Sequence, residues 1–277
     1  VFLMDLLSLD HVHFSVPDLE RAQALFAPFL GGAFTPVYGG PELNAWGVWN
    51  SSGGDFLQVI RPDEPVFGGS AITGEGLLSV SFRVEDLDVG IAQAEAAGLR
   101  VRSRTGSEEA GFGKNVVQAQ LAPDESFGLG LELVERQIPG DPHVPMTEHV
   151  IDHVEHLVSD LEAPTAFFSD LFGSPFEPAW TDPVSGARSA RHPRFGIQLT
   201  TEAPSGGSAA RRVDAVDPEP HAIAFQSRDL ERDVAIAEGL GLKQAHRRVL
   251  RRGASEVSEV AFEPDAGVVF KLVGRRR

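Results

Sequence analysis

The chain has 277 residues, 42% of them hydrophobic and 23% charged, which is the composition of a globular protein long enough for two cores. Its formal net charge of −16 excludes the basic face that displaces counterions from nucleic acid, so no nucleic-acid partner is expected. Zero cysteines exclude disulfides, thiolate metal sites and cysteine nucleophiles, and no apolar run approaches the ~18 residues of a membrane span, so the expectation is a cytoplasmic protein with no membrane partner.

In chain order, alternating Val12, Phe14 and Val16 predict a strand with one buried face. Asp18 then caps a helical pattern that stops near Gly31. Short strands follow, separated by turn signals at Gly39-Gly40-Pro41 and Ser52-Gly53-Gly54. Trp46 and Trp49 lie in the middle strand, an odd number apart, so at most one of them faces a cavity. The glycine-rich Phe67-Gly68-Gly69 reads as a linker, after which Val80, Phe82 and Val84 open a second unit whose helix runs from Asp86 to Gly98. That unit closes on the apolar strand Leu131-Glu132-Leu133-Val134.

The Pro-rich residues 136–149 read as a linker, and the pattern then restarts. Residues 151–176 repeat residues 9–34 at an offset of 142, with eleven of 26 positions identical, including the Asp-His-Val triplets of His11 and His153. Helices are expected from Asp160 to Gly173 and from Asp229 to Gly241, with a turn at Asp182-Pro183 and a linker at Ser205-Gly206-Gly207. The predicted fold class is therefore α+β, with four βαβββ modules paired into two cupped mixed-sheet domains. The first domain covers 1–135, with modules at about 9–62 and 75–135; the second covers 150–277, with modules at about 150–202 and 218–274.

Strand alternation then sorts side chains. With Val12, Phe14 and Val16 under the helix, His11, His13 and Ser15 face the concave side, joined by Gln58, Glu132, Ser79, Ser81 and Arg83.

Paired βαβββ units that open on Leu-Asp-His-Val and close on Leu-Glu-Leu-Val resemble the vicinal oxygen chelate superfamily, which includes glyoxalase I, methylmalonyl-CoA epimerase, fosfomycin-resistance proteins, extradiol dioxygenases and bleomycin-binding proteins. The resemblance implies a glyoxalase-like fold and one divalent ion (Mn, Co, Ni, Zn or Fe) in the first domain, held by His11, Gln58 and Glu132. Ser79 stands where a second histidine is usual. Glu132 is the implied base, and His13, which shares the facing of His11 and carries an imidazole that titrates near neutral pH, is a candidate proton shuttle; Gln58, Ser79, Arg83, His153, Gln198 and Lys271 are candidate ligand-binding residues. In the second domain Ala222 and Lys271 fall on ligand positions, and an ammonium there repels a divalent ion, so no metal is expected. Lys271 has Glu155 as a candidate partner.

Two functions remain open from these residues. One is a metal-assisted isomerase, epimerase or lyase acting in the first domain on a small molecule; the other is a metal-free protein that binds or sequesters such a molecule, as bleomycin-resistance proteins do. An extradiol-type dioxygenase is disfavoured by the set His153, Ala222 and Lys271, and the protein is expected to be a monomer or a homodimer.

Overall fold

A computed structural model describes residues 4–30, 34–40, 45–50, 56–62, 66–67, 70–71, 76–105, 116–136, 151–182, 186–201, 222–252, 255–265 and 267–275. The expected linker at 136–149 lies outside these residues but for Arg136, as do the stretches Gly68-Gly69 and Ser205-Gly206-Gly207 and the turn Ser52-Gly53-Gly54.

The first half contains β1 (Ser8–Ser15), α1 (Leu19–Leu30), β2 (Tyr38–Gly40), β3 (Ala45–Asn50), β4 (Phe56–Pro62), a two-stranded ribbon of β5 (Val66–Phe67) and β6 (Ser70–Ala71), β7 (Gly76–Arg83), α2 (Leu87–Ala96), β8 (Val101–Thr105), β9 (Val116–Leu121) and β10 (Gly130–Arg136). The second half contains β11 (Ile151–Val158), α3 (Glu162–Phe172), β12 (Trp180–Thr181), β13 (Arg188–Arg191), β14 (Ile197–Thr201), β15 (Ala222–Ser227), α4 (Leu230–Gly239), β16 (Gln244–Arg252), β17 (Ser255–Phe262) and β18 (Val269–Arg275). Leaving out the ribbon, each half is two βαβββ modules.

The aspartates start the helices as their residue type predicts. Asp18, Asp86 and Asp229 accept hydrogen bonds from the backbone N–H groups of Arg21, Val89 and Arg232, and Asp160 accepts from Glu162 and Ala163. Gly98, Gly173 and Gly241 follow the ends of α2, α3 and α4 with positive φ, a conformation that a side chain would strain.

Each half folds into one eight-stranded mixed sheet, ordered β2-β3-β4-β1-β7-β10-β9-β8 and β12-β13-β14-β11-β15-β18-β17-β16. Two modules meet in each sheet where their opening strands pair antiparallel, β1 with β7 and β11 with β15, while each opening strand pairs in parallel with the last strand of its own module. This junction sets the first strands of both modules and the last strand of each side by side at the sheet's centre.

One face of each sheet is apolar, and the two faces share a single core. Val12, Phe14, Val80, Phe82, Leu131 and Leu133 of the first sheet and Val154, Ile223, Phe225, Phe270 and Leu272 of the second belong to one buried cluster. The helices cross between the halves: Phe29 of α1 lies tilted against Phe270, with ring centroids 4.7 Å apart, and the ring centroid of Phe172 of α3 lies 5.2 Å from that of Phe82. Arg21 pairs with Asp265 across the same boundary, and Nε2 of buried His156 donates to the carbonyl of Phe127 at 2.8 Å. Polar residues of the strands are left for the opposite, concave faces. Among the described residues, no helix is long and apolar enough to cross a membrane.

Candidate functional site

The first cup is built from two adjacent cross-strand rows. One runs Trp49 (β3), Gln58 (β4), His13 (β1), Ser79 (β7) and Gly130 (β10); the next includes His11 (β1), Ser81 (β7), Glu132 (β10) and Gln120 (β9). The register decides which residues meet. His11 lies opposite Ser81, whereas Ser79 lies opposite His13, so the serine that touches both His11 and Glu132 is two residues beyond the one singled out by the resemblance.

His11, His13 and Glu132 are all buried, and one donor atom from each lies within 4.8 Å of the others. Glu132 Oε2 is 3.5 Å from His11 Nε2 and 3.6 Å from His13 Nε2. The two imidazoles stack with centroids 4.3 Å apart, and the edge of Trp49 closes on them at 5.0 and 5.9 Å. Trp46 faces the other way and packs against the apolar core, as its odd spacing from Trp49 requires.

Hydrogen bonds fix the protonation of the group. Ser81 Oγ donates to Glu132 Oε2 at 2.7 Å, and Gln120 Nε2 donates to Oε1 at 2.9 Å. Burial opposes the charge of Glu132, but the two imidazoles and Ser81 outweigh it and pull the carboxyl down to about 2. With its single proton given to Glu132, Ser81 accepts from His11 Nε2 at 2.9 Å, and His11 Nδ1 donates to the carboxylate of Asp10 at 2.7 Å. His11 is accordingly raised above the ordinary histidine range, against its burial, by Asp10 and Glu132. His13 behaves oppositely: burial pushes it down to about 3, so it is neutral, and its Nε2 is a buried atom with no hydrogen-bond partner. A buried lone pair that faces a carboxylate and a second imidazole suits coordination of a cation better than relay of a proton.

The remaining expected residues take clear places. Gln58 is fully buried beside His13 and below Trp49, Ser79 Oγ is buried without a hydrogen-bond partner, and Arg83 is buried at the end of β7 on the same face. Gln120, Asp10 and Arg136 belong to the site although no sequence signal singled them out beyond the doubled Asp-His pair.

In the second cup the same places carry different chemistry. His153 lies opposite Ala224, and Lys271 takes the position of Glu132 next to it. Glu155, in the position of His13, accepts from Lys271 through Oε2 and from Gln198 and Thr200 through Oε1, at 3.1 and 2.6 Å. Ala222 stands two residues before the position that faces His153. Burial raises the Glu155 carboxyl, but Lys271 and Thr200 more than reverse this and hold it at about 2. Glu259 accepts from Arg248, and Arg248 reaches on to Asp182, so β16 is tied to the residue that follows β12 at the opposite edge of the same sheet.

Residues 10–116 match the family model described as Glyoxalase/Bleomycin resistance protein/Dioxygenase superfamily. No curated protein matches the sequence. Among solved structures, a triple-substituted 4-hydroxymandelate synthase from Streptomyces coelicolor is similar over 99% of this chain and 94% of its own, at 15% identity and a TM-score of 0.71. A 2,2',3-trihydroxybiphenyl 1,2-dioxygenase from Sphingomonas wittichii is similar over 98% and 91%, at 16% identity and 0.66, and a catechol 2,3-dioxygenase over 98% and 89%, at 13% identity and 0.61. At these identities the likeness is one of fold: a tandem pair of cupped sheets spanning nearly the whole of each protein.

Proposed function

We propose that this chain, whose residues 10–116 match the Glyoxalase/Bleomycin resistance protein/Dioxygenase superfamily model, is a tandem, one-site protein of that superfamily whose first cup holds a divalent ion on His11, His13 and Glu132 and acts on a small oxygen-bearing molecule. The observation that carries this reading is the buried His13 Nε2, which meets Glu132 and His11 within ligand range and has no hydrogen bond. Two imidazoles and one carboxylate suit Mn, Fe, Co, Ni or Zn and leave positions open. When bound, such an ion supplies Lewis acidity to a carbonyl or enolate oxygen, the chemistry of an isomerase, epimerase or lyase.

The chain's own residues have distinct tasks in this reading. Glu132 stays ionised, and its oxygens are aimed by Ser81 and Gln120. His13 offers a lone pair because it is neutral. Trp49 packs its edge against the imidazole pair, while Gln58 and Ser79, in the row of His13, provide an amide and a hydroxyl to orient a polar ligand. Metal-free binding of the same small molecule is the second reading, favoured by Ser81, whose hydroxyl already bridges His11 and Glu132.

Metal analysis separates the two. Protein purified without chelator should carry a single equivalent of divalent metal, and the melting temperature should rise on adding Mn²⁺, Fe²⁺, Co²⁺, Ni²⁺ or Zn²⁺, by a stabilisation of about 2.7 kcal/mol at a hundredfold excess over Kd. His13→Ala should abolish both effects. Substoichiometric metal with no thermal gain from any of these ions would transfer the function to metal-free binding.

A further inference from the structure

The sequence of β1 contains a change of phase that alternation cannot produce. Leu9 belongs to the apolar core together with Val12, yet Leu9 shares its odd parity with His11 and His13, which line the cup. The pairing with β7 shows why: Leu9 faces Phe82 and His11 faces Ser81, so two steps along β1 match one along β7 and Asp10 is the extra residue of a β-bulge. β11 repeats the device. Ile151 is in the core, His153 is in the cup, and their partners Phe225 and Ala224 are consecutive, leaving Asp152 as the bulged residue.

In each case the bulge sets the aspartate beside the histidine that follows it. Asp10 Oδ1 accepts from His11 Nδ1 at 2.7 Å, and Asp152 Oδ2 accepts from His153 Nδ1 at 2.8 Å. Asp10 is itself held by a two-pronged contact from Arg136, Nε to Oδ2 at 2.6 Å and Nη2 to Oδ1 at 2.7 Å. Arg136 ends β10, four residues beyond Glu132, so one strand supplies both the carboxylate of the site and the brace of the opposite imidazole. In the second half Arg275, four residues beyond Lys271, approaches Asp152 only at 3.6 Å and is largely exposed, while Arg191 contacts the same carboxylate at 3.5 Å. The tight form of the brace is found where the metal-ligand cluster is found.

We propose that Asp10, fixed by Arg136 on the bulge of β1, is the positioning residue of the first cup: it holds the proton on His11 Nδ1, so that Nε2, which donates to Ser81 in the metal-free site, is the nitrogen that releases its proton to solvent when an ion binds. This rests on the metal-site reading above. Acceptance of the distal N–H by a carboxylate fixes the tautomer and ring orientation of a ligating histidine and raises its donor strength, and loss of such a partner typically weakens metal binding about 10- to 100-fold.

The duplicated chain supplies the control, because Asp152 makes the same hydrogen bond in the cup that holds Lys271. In Co²⁺ titrations followed by visible absorption and chelator competition, Asp10→Asn should bind about 10- to 100-fold more weakly than the parent protein, and Asp152→Asn should stay within about twofold. An unchanged affinity in Asp10→Asn, or an equal loss in both variants, would overturn the proposal. Should Asp10→Asn fail to fold, Arg136→Lys, which cannot make the two-pronged contact, should weaken Co²⁺ binding severalfold, and an unchanged affinity there counts equally against it. If the parent protein takes up no Co²⁺, the metal-site reading fails and imidazole ¹⁵N spectra of the metal-free protein decide the positioning. His11 Nδ1 should appear protonated in the parent and shift in the Asp10→Asn or Arg136→Lys variant; an unmoved resonance rejects the role of Asp10.

Discussion

Glu132 shows how much a single buried carboxylate can organise. It accepts from Ser81 and Gln120 and stands 3.5 to 3.6 Å from both imidazoles, so removing its charge leaves His11 with Asp10 as its remaining carboxylate contact among the described residues. Glu132→Gln preserves shape and removes the charge; it should abolish metal uptake and lower stability by about 1–3 kcal/mol, the cost of leaving buried partners unsatisfied. Equilibrium urea unfolding and metal analysis of the same preparation check both halves of this expectation, and undiminished metal content would remove Glu132 from the ligand set. At this scale the sequence was informative about facing and poor about pairing. Alternation alone puts His11, His13, Ser79, Ser81 and Glu132 on one side, but the bulges decide that Ser81, not Ser79, meets His11, and a bulge leaves no trace in residue type.

β10 illustrates the element scale, because it approaches β7 more closely than any residue with a side chain would allow. A Cβ on Gly130 would stand 2.1 Å from the carbonyl oxygen of Leu78, a backbone atom that cannot swing aside. Leu78 is the residue skipped where His13 pairs with Ser79 and Phe14 with Leu77, so the second irregularity of the β1–β7 ladder is what crowds Gly130. Gly130→Ala should therefore force β10 away from β7, at a cost of about 1–3 kcal/mol for overpacking, and should displace Glu132, which follows two residues later on the same strand. A lower urea midpoint together with weaker Co²⁺ binding is the expected outcome; a variant as stable and as avid as the parent would show that the strands can separate without cost. The helices α2, α3 and α4, by contrast, were legible from the sequence, and so was the start of α1, whose expected stop at Gly31 lies outside the described residues: an aspartate before an apolar period and a glycine after it are local signals, and no long-range pairing is needed to interpret them.

For the whole molecule the question is whether two sheets make two folding units. Repetition in the sequence predicts two cups but says nothing about the space between them, where Phe26 and Phe29 of α1 pack on Phe225 and Phe270, and Phe82 packs on Phe172 and Phe195. A core continuous across both halves implies that destabilising one cup unfolds the other. Acid supplies the perturbation, because Glu155 in the second cup is held at about 2, against an ordinary 4.5, by Lys271 and Thr200. A depressed carboxyl contributes stability that is fully present above its unfolded value and is lost as pH falls through its folded one, so the loss attributable to Glu155 falls between about pH 4.5 and 2. Glu155→Gln with Lys271→Met removes the pair and should flatten this part of the stability profile, whereas Lys271→Met alone leaves Glu155 and Glu259 without their shared ammonium and should cost about 3–5 kcal/mol at neutral pH. With Trp180→Phe, the indole emission comes only from Trp46 and Trp49 of the first sheet. In that background the Lys271→Met change, made in the second sheet, should lower the urea midpoint seen by emission as much as that seen by far-ultraviolet circular dichroism. An emission midpoint that stays at the parent value while the dichroism midpoint falls would show that the shared apolar cluster does not couple the two cups.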